Sequence, residues 1–335
     1  MPLAPPSQLL LQQDLPEHAL LVNPPHDDLA QSIPSGWHAA CFSHSTNTVF
    51  ETQGFETVSV LAPKQHAYQS IIVYLPKSKN RLQYVIDYCC SSLADDGEIW
   101  FVGENKGGIK SLAKQTKKLF EQSDKFATGK HSAIVSASKP LTAKDFELQT
   151  YYQNQVNELD MHVQALPGVF SQEKLDKGTE VLLKNLPRKI KGRVLDFGCG
   201  AGVIGCYVQQ HREVDEIDML DDDLLAVKSA QRTIEKNSIP YAEAFASNGF
   251  DEVEDRYNWI ISNPPFHQGV KTHYEVTEQF LAKAKDHLKL SGKLLIVANE
   301  FLSYEVILKY HFKMVKEVAR ENGFKVLQCE GIMRK

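Results

Sequence analysis

The sequence predicts an α/β protein made of two domains of related design, each with a doubly wound, mainly parallel sheet. The length of 335 residues is enough for two ordinary domains, each with its own core. The second half alternates short apolar strands with helical segments, the order that produces parallel sheets. Part of the first half repeats that order, which indicates a second domain of similar fold.

The second half contains a regular series of predicted strands. They lie at 193–197, 216–220, 242–246, 259–263 and 293–299, with a returning strand at 324–332. Apolar residues at helical spacing follow the second of these strands, and a further helix is predicted over roughly 275–288. Short apolar runs separated by helices are typical of a parallel sheet with helices on both faces.

The first half repeats one unit of strand, helix, glycine-containing turn and strand. Its segment I-I-V-Y-L-P-K aligns with I-I-S-N-P-P-F of the second half. The next elements then match in order, and in the first half they are a helix at 81–93 and a strand at 99–104. We therefore predict two domains, 1–150 and 166–335, joined by a linker at 151–165.

The first copy lacks residues that a ligand site needs. Its strand A-L-L-V leads into Asn23-Pro24-Pro25 with no glycine before Gly36, and it has Tyr74-Leu75-Pro76-Lys77 in place of N-P-P-F. A backbone that approaches a ligand closely requires glycine. We interpret Asn23-Pro24-Pro25 as a turn and the first domain as a degenerate copy that binds no cofactor.

The composition is that of a globular protein, with 42% hydrophobic and 24% charged residues. No apolar run approaches the ~20 residues that cross a bilayer, and no signal-peptide pattern is present. The six cysteines show no C-x-x-C spacing, so reduced thiols and no metal site are expected. We expect a cytoplasmic protein without a membrane partner. The net charge of −5 leaves an RNA partner open, because a local basic face suffices.

A glycine-rich loop, D-F-G-C-G-A-G, follows the first strand of the second half. Gly198, Gly200 and Gly202 allow a tight turn and close approach to a ligand. The carboxylate of Asp196 would repel a pyrophosphate but suits a cation, such as an ammonium or a sulfonium. The alternative is a dinucleotide site, since Gly205 permits a looser match to that pattern.

Polar residues also follow the next two strands. Asp221 ends the second strand, where an acid hydrogen-bonds ribose hydroxyls in nucleoside-binding sheets. Ser247 and Asn248 follow the third strand, where a polar side chain can meet an adenine edge. Ligands bind at the carboxyl ends of such strands, so the combination predicts a site for S-adenosylmethionine.

The stretch Asn263-Pro264-Pro265-Phe266 ends the fourth strand, where it would face the cofactor's methyl group. The Asn263 side-chain oxygen and the Pro264 carbonyl can each accept a hydrogen bond from a planar NH2 group and orient it for attack. The first proline restrains the loop, and Phe266 offers a flat face to an extruded base. The same arrangement serves N6 of adenine, N2 of guanine and a glutamine amide, so the residues alone predict methyl transfer to a planar NH2 group.

These motifs resemble those of the RsmC family of 16S ribosomal RNA guanine-N2 methyltransferases. The matching segments are P-G-V-F-S, L-D-K-G, V-L-D-F-G-C-G-A-G-V, A-S-N, I-S-N-P-P-F-H-Q-G and I-V-A-N-E-F-L, between positions 167 and 302. The resemblance implies two tandem Rossmann-like class I methyltransferase domains. The first of them is degenerate, and the second has a seven-stranded, mostly parallel sheet that binds the cofactor.

The resemblance also implies a function: S-adenosylmethionine-dependent methylation of the N2 amine of a specific guanine in 16S rRNA. The expected partner is the assembled small ribosomal subunit, and the expected state is a monomer. The RlmG family, which methylates a guanine of 23S rRNA and shares N-P-P-F-H, is the alternative. A non-catalytic RNA-binding assembly factor is a more distant one, and the intact N-P-P-F argues against it.

Basic and aromatic residues supply candidate substrate contacts. If 108–120 is helical, one face of it carries lysines that either form a solvated stripe or dock RNA: Lys106, Lys110, Lys114, Lys117 and Lys118. A second basic cluster with the same two interpretations comprises Lys184, Arg188, Lys189, Lys191 and Arg193. Phe170 flanks the cofactor or belongs to the core, and His267 contacts substrate or caps its loop.

Overall fold

Two sheets with the same strand order organise the protein, for which we describe a computed structural model over residues 2–142, 145–156, 159–264 and 271–333. The chain divides into two compact units, Met1–Tyr151 and Tyr152–Lys335. The predicted α/β class with mainly parallel sheets is confirmed in both units.

The first unit alternates strands and helices. Its strands are β1 (Leu20–Val22), β2 (His38–Ala40), β3 (Glu56–Thr57), β4 (Tyr68–Tyr74), β5 (Leu93–Glu104), β6 (Phe120–Gly129) and β7 (Ser132–Pro140). Its α-helices are α1 (Pro5–Leu10), α2 (His44–Thr52), α3 (Lys79–Ser92) and α4 (Ile109–Leu119). The sheet order is β3-β2-β1-β4-β5-β7-β6, and β7 runs antiparallel to both of its neighbours.

The second unit repeats that plan. Its strands are β8 (Gln153–Val156), β9 (His162–Ala165), β10 (Lys191–Phe197), β11 (Glu213–Asp221), β12 (Ala242–Ala246), β13 (Tyr257–Ser262), β14 (Leu288–Asn299), β15 (Phe312–Glu321) and β16 (Phe324–Ile332). Its α-helices are α5 (Lys177–Lys184), α6 (Val203–His211), α7 (Leu224–Lys236), α8 (Lys271–Lys283) and α9 (Tyr304–Leu308). The main sheet has the order β12-β11-β10-β13-β14-β16-β15, the same order as in the first unit. The predicted repeat is therefore a repeat of topology.

The segment 151–165, interpreted from the sequence as a linker, contains β8 and β9, which pair antiparallel. The backbone N–H of Gln164 donates to Thr233 Oγ1 of α7 at 3.0 Å, and that of Leu166 donates to Ser229 Oγ at 3.0 Å. These hydrogen bonds satisfy the backbone of β9 and of the residue that follows it with side chains of the second unit. Most of the segment is therefore a structural part of that unit and not a free connection.

The central strands of the second sheet are buried, as is expected where helices cover both faces. Leu195, Ile260 and Leu294 lie side by side on β10, β13 and β14 and are 0% exposed. Because β10 to β14 run parallel, their carboxyl ends meet at one edge of the sheet. That edge carries the residues that the sequence singles out, from Asp221 at the end of β11 to Asn263 after β13.

Asn23-Pro24-Pro25 follows β1 in the first sheet. Asn23 has a φ of 55°, and its side-chain amide donates to the Tyr74 carbonyl at the end of β4, at 2.9 Å. The Tyr74 side chain is buried, and its hydroxyl donates to Ser7 Oγ of α1 at 3.0 Å. Asn23 therefore joins two strand ends of the first unit, which is a structural use of the asparagine.

Within the described ranges, no helix has the length and apolar character needed to span a membrane. The six cysteines are all free thiols, and the same ranges hold no group of metal-ligating side chains.

Candidate active site

The glycine-rich loop turns sharply between β10 and α6. Gly198, Gly200 and Gly202 have φ values of 72°, 54° and 79°, in the left-handed region that side chains disfavour. The backbone N–H groups of Gly198 and Cys199 both donate to the Leu220 carbonyl at 2.9 Å, so the loop is tied to the end of β11. A Cβ at Gly198 would meet no atom within 4 Å, which leaves this face of the loop open for a ligand.

Asp196 is fully buried at the end of β10. Its Oδ2 accepts a hydrogen bond from the Gly205 N–H at 2.9 Å, whereas its Oδ1 has no partner in the described part of the chain. Burial raises the pKa of Asp196 to about 7; the hydrogen bond from Gly205 lowers it, and the charge of Asp221 raises it further. An orphaned, buried carboxylate oxygen is costly unless a donor or cation reaches it. The arrangement therefore fits a cationic ligand.

The dinucleotide alternative rests on Gly205, and the structure gives this glycine a packing role instead. A Cβ there would lie 2.5 Å from Met219 Cε, so a larger residue would displace the buried Met219 side chain between α6 and β11. The N–H of Gly205 already binds Asp196. A carboxylate thus occupies an N–H group of the first turn of α6, where a dinucleotide site would place pyrophosphate.

Two aspartates of the acidic run that begins at the end of β11 have different roles. Asp221 Oδ2 accepts from the Gly200 N–H and Oδ1 accepts from the Asp223 N–H, both at 2.9 Å. Asp223 caps α7 by accepting from the Leu225 N–H at 3.0 Å. Burial raises the pKa of Asp221 to about 6, and the charge of Asp223 adds to this. Asp221 is therefore the acid that faces the glycine loop.

Ser247 and Asn248 differ in availability. Ser247 is buried, its hydroxyl donates to the Gly249 carbonyl at 2.9 Å, and it accepts from the Glu252 N–H at 3.2 Å. Asn248 is exposed, and its amide donates to Asp251 at 2.9 Å. The Ser247 side chain shapes the turn, which leaves Asn248 as the more accessible side chain of the two.

Asn263 follows β13, and the NH2 group of its side chain donates two hydrogen bonds. Its Nδ2 donates to Asp176 Oδ2 at 3.0 Å and to Thr179 Oγ1 at 2.9 Å. Its Oδ1 is buried and has no partner among the residues that the structure describes. Ser262 Oγ donates to the Phe197 carbonyl at 2.7 Å, which joins the end of β13 to β10 and the glycine loop. A lone acceptor oxygen is therefore held at the carboxyl edge of the sheet.

Asp176 and Thr179 are not predicted as site residues. One local signal was available: an acid three residues before a threonine, at the start of an apolar helical run, is typical of a helix N-cap. Asp176 is indeed the N-cap of α5 and accepts from the Thr179 N–H at 2.9 Å. Its contact with Asn263, 87 positions away, leaves no trace in a single sequence.

Not all of the predicted catalytic stretch can be placed. Pro264 is buried directly after Asn263. Pro265, Phe266 and His267 lie outside the described residues. Phe170 is 53% exposed, so the core interpretation is wrong. A Cβ at Gly200 would lie 3.5 Å from the Phe170 Cβ, which places Phe170 beside the loop.

The two basic clusters differ in their pairing. In the first unit, Lys106 precedes α4 and Lys110 and Lys114 lie on it; all three are exposed, opposite the buried residues of the helix. No ion pair within the described ranges involves these three lysines. In the second cluster most side chains have acidic partners: Arg193 pairs with Asp218, Glu216 and Asp255, Lys184 with Glu180, and Lys191 with Glu213. This second cluster is mainly a set of internal ion pairs.

The strand order and the loop after the first strand of the sheet define a class I methyltransferase fold. In agreement, the family model described as methyltransferase small domain matches residues 160–328, and that of its N-terminal domain matches residues 7–155.

Full-length relatives give a narrower assignment. The ribosomal RNA small subunit methyltransferase C of Colwellia psychrerythraea is 36% identical over 98% of both chains. Its counterpart in Acinetobacter baumannii strain ATCC 17978 is 38% identical over 95% of this chain and 97% of the relative. The chain therefore belongs to the ribosomal RNA small subunit methyltransferase C family, RsmC, as its motifs predict.

A solved structure shares the fold. The T. thermophilus 16S rRNA N2 G1207 methyltransferase (RsmC), determined in complex with AdoMet and guanosine, superposes with a TM-score of 0.86. It is 23% identical, over 98% of this chain and 92% of that one. The predicted pair of methyltransferase-like domains is confirmed.

Proposed function

We propose that the protein transfers a methyl group from S-adenosylmethionine to the exocyclic N2 amine of a guanine in 16S rRNA. The observation that carries the proposal is the orphaned Oδ1 of Asn263, an acceptor whose NH2 end is fully engaged, beside a glycine loop with an orphaned carboxylate oxygen. Relatives named for small-subunit rRNA methylation, and a structural neighbour that holds AdoMet and guanosine, favour guanine over other planar NH2 groups.

The residues at the carboxyl edge fit the cofactor. Oδ1 of Asp196 would accept from its ammonium group, and Asp221 from its ribose hydroxyls. Asn248 is available to the adenine edge, and Phe170 lies beside the loop. When bound, S-adenosylmethionine supplies a methyl group on a positively charged sulfur, and the new N–C bond forms as the C–S bond breaks with its electron pair left on sulfur.

The acceptor side needs orientation more than a strong base. The N2 lone pair of guanine is delocalised into the ring, so the amine is a poor nucleophile. Asn263 Oδ1 and the Pro264 carbonyl would each accept one N–H bond and favour the pyramidal geometry reached during attack. After transfer, the extra proton on the methylated nitrogen passes to solvent water, so the neutral amine is restored. Stacking of the base on Phe266, and a substrate contact by His267, stay predictions.

Cofactor affinity is expected to rise with pH between about 5 and 7.5. The pKa values of Asp196, about 7, and Asp221, about 6, lie above the ordinary value of an aspartate. Ionisation of these groups therefore destabilises the free protein as pH rises through those values, and a bound cation offsets the loss. Calorimetric titration with S-adenosylmethionine at successive pH values measures the effect. An Asp196→Asn variant should show a flatter profile, and a pH-independent affinity of the wild type would contradict the assignment.

The RNA substrate can be tested with a labelled methyl donor and purified ribosomal subunits. We expect label in 16S rRNA of the small subunit and none in 23S rRNA. We further propose that the substrate is the assembled subunit and that the enzyme acts as a cytoplasmic monomer; the motif resemblance supports this, and free 16S rRNA is the comparison. Label only in 23S rRNA would favour the large-subunit reaction, and label in neither would remove the RNA-enzyme proposal.

The first unit is proposed to dock RNA through α4. Its lysine face is exposed and lacks acidic partners in the described part of the unit, so it presents positive charge to solvent. Such a face binds phosphates without reading sequence. This role would explain why a domain without the glycine loop retains the fold of the second.

Reversing two charges on this face should weaken RNA binding. In a Lys110→Glu/Lys114→Glu variant we expect the KM for the small subunit to rise about 10-fold or more. The slope of log binding constant against log salt concentration should fall by roughly two, one for each lost phosphate contact. Cofactor affinity should not change. A Lys125→Glu/Lys139→Glu variant makes the same charge change on β6 and β7 of that unit. If both variants lost RNA affinity equally, net charge alone, and not this face of α4, would determine binding.

A further inference from the structure

We propose that Asp176 and Thr179 are positioning residues for methyl transfer, holding the Asn263 amide so that its oxygen faces the acceptor amine. The inference rests on the proposed function and assigns a role to Asp176, which lies in the L-D-K-G segment, and to Thr179, which directly follows that segment. Both side chains lie at the start of α5 and both accept from Asn263 Nδ2, at 3.0 Å and 2.9 Å.

The carboxylate determines which way the amide points. A carboxylate oxygen of Asp176 accepts hydrogen bonds and donates none, so only the NH2 end of Asn263 can pair with it. A flipped amide would place Asn263 Oδ1 against the Asp176 carboxylate and leave the NH2 group facing the amine of the substrate, donor against donor. Burial makes either mismatch costly. Asp176 and Thr179 together therefore select the catalytically useful orientation.

The carboxylate also strengthens the acceptor. Donating to an anion polarises an amide, which increases the negative charge on its oxygen, and the effect is larger where water is excluded. Asn263 Oδ1 is buried, so it gains from this polarisation. The N–H bonds of the guanine amine become more acidic as its nitrogen attacks the methyl group. A stronger acceptor at Oδ1 then lowers the barrier more than it stabilises the bound substrate.

The local backbone fits this dual use of one carboxylate. Asp176 Oδ2 accepts both from the Thr179 N–H, as a helix cap, and from Asn263. A Cβ at Gly178 would lie 3.0 Å from Asp176 Oδ2 and 3.0 Å from Phe324 Cε1, so glycine at this position leaves the carboxylate room. Capping α5 needs only a short acceptor such as serine. The bond to Asn263 needs the longer aspartate, which allows the two roles to be separated.

The test compares variants that separate the cap from the amide contact. Asp176→Ser retains a capping oxygen but is too short to hold Asn263, and Thr179→Val removes the hydroxyl at nearly constant volume. We expect single-turnover methyl transfer to small subunits to fall about 10- to 100-fold in each. Thr179→Ser should restore most of the rate. Cofactor affinity and melting temperature should stay close to wild type, and Glu180→Gln, on the same helix turn, is the matched control.

Several results would overturn the inference. A wild-type rate in both Asp176→Ser and Thr179→Val would do so. A loss of rate in Asp176→Ala that is absent in Asp176→Ser would also do so, because the role of Asp176 would then be that of a helix cap. Equal losses of rate, cofactor affinity and melting temperature would indicate a structural role.

The inference can also be tested apart from activity. With asparagine labelled by 15N, the side-chain NH2 of Asn263 should be protected from solvent exchange in the wild type and lose protection in the Asp176→Ser/Thr179→Val double variant. If the wild type methylates no rRNA but shows this protection, the proposed function fails and the orientation of the amide stands. An unprotected wild-type amide would refute the positioning role itself.

Discussion

An Asn263→Ala variant is expected to lose methyl transfer by about 100- to 1000-fold while it binds S-adenosylmethionine almost as the wild type does. The alanine removes the orphaned acceptor oxygen that would orient the amine, and this interaction strengthens as the nitrogen attacks. The glycine loop, Asp196 and Asp221 are not altered. Single-turnover transfer to small subunits measures the first effect, and calorimetric titration measures the second.

Two further variants sharpen this test. Asn263→Asp retains an acceptor oxygen but places a carboxylate against Asp176, so it should also be inactive near neutral pH. Asn185→Ala makes the same asparagine-to-alanine change at the C-terminal end of α5, where the amide donates to the Val181 carbonyl and to Glu321. Its transfer rate should match the wild type. If Asn263→Ala lost cofactor binding instead, Asn263 would be a structural residue and not a catalytic one.

Replacing Asp196 by asparagine is expected to weaken S-adenosylmethionine binding by about 100-fold. The change conserves size and removes the charge that would pair with the cofactor's ammonium group. Oδ1 is the orphaned oxygen, and Oδ2 accepts from Gly205. An asparagine oxygen can still accept from Gly205, so the loop should keep its shape. Equilibrium titration of the purified variant gives the change in Kd directly.

A smaller ligand distinguishes charge pairing from loop support. Methylthioadenosine contains the nucleoside but neither the ammonium nor the carboxylate of the cofactor. Its affinity should change little in Asp196→Asn and fall in Asp221→Asn, because Asp221 would bind the ribose and holds Gly200. If Asp196→Asn lowered the affinities for S-adenosylmethionine and methylthioadenosine equally, Asp196 would act only by holding α6 to β10.

The sequence predicts the second unit well at positions where the local backbone conformation or the end of a strand determines which residue type fits. Gly198, Gly200 and Gly202 have positive φ values, so their residue type reports directly on backbone shape. Asp196 and Asp221 stand at strand ends, and parallel strands bring such ends to one edge. These requirements are local, and for that reason a single sequence reveals them.

What the sequence does not predict depends on contacts between distant segments. β15 is an edge strand, exposed along most of its length, so its apolar alternation is weak and no strand is predicted there. The strand β9 and the residue after it are held by side chains of α7, more than 60 positions later, so the linker interpretation of 151–165 missed the strand. The contact of Asp176 with Asn263 is of the same kind.

The two sheets share their strand order but differ at the equivalent edge. In the first unit, Asn23 donates to the Tyr74 carbonyl, so its amide connects the ends of β1 and β4. In the second unit, glycines occupy the turn after β10, and the Asn263 side-chain oxygen has no hydrogen-bond partner among the described residues. The same fold therefore uses an asparagine to join two strand ends in the first unit, and in the second unit it holds acceptor oxygens that have no partner among the described residues.

The most direct test of the central claim is a crystal structure with S-adenosylhomocysteine and guanosine bound. We predict that Asn263 Oδ1 accepts a hydrogen bond from guanine N2 at about 3 Å, while Nδ2 still donates to Asp176 and Thr179. The N2 nitrogen should face the cofactor's sulfur. An Asn263 amide turned away from the base, with another side chain binding N2, would contradict the account.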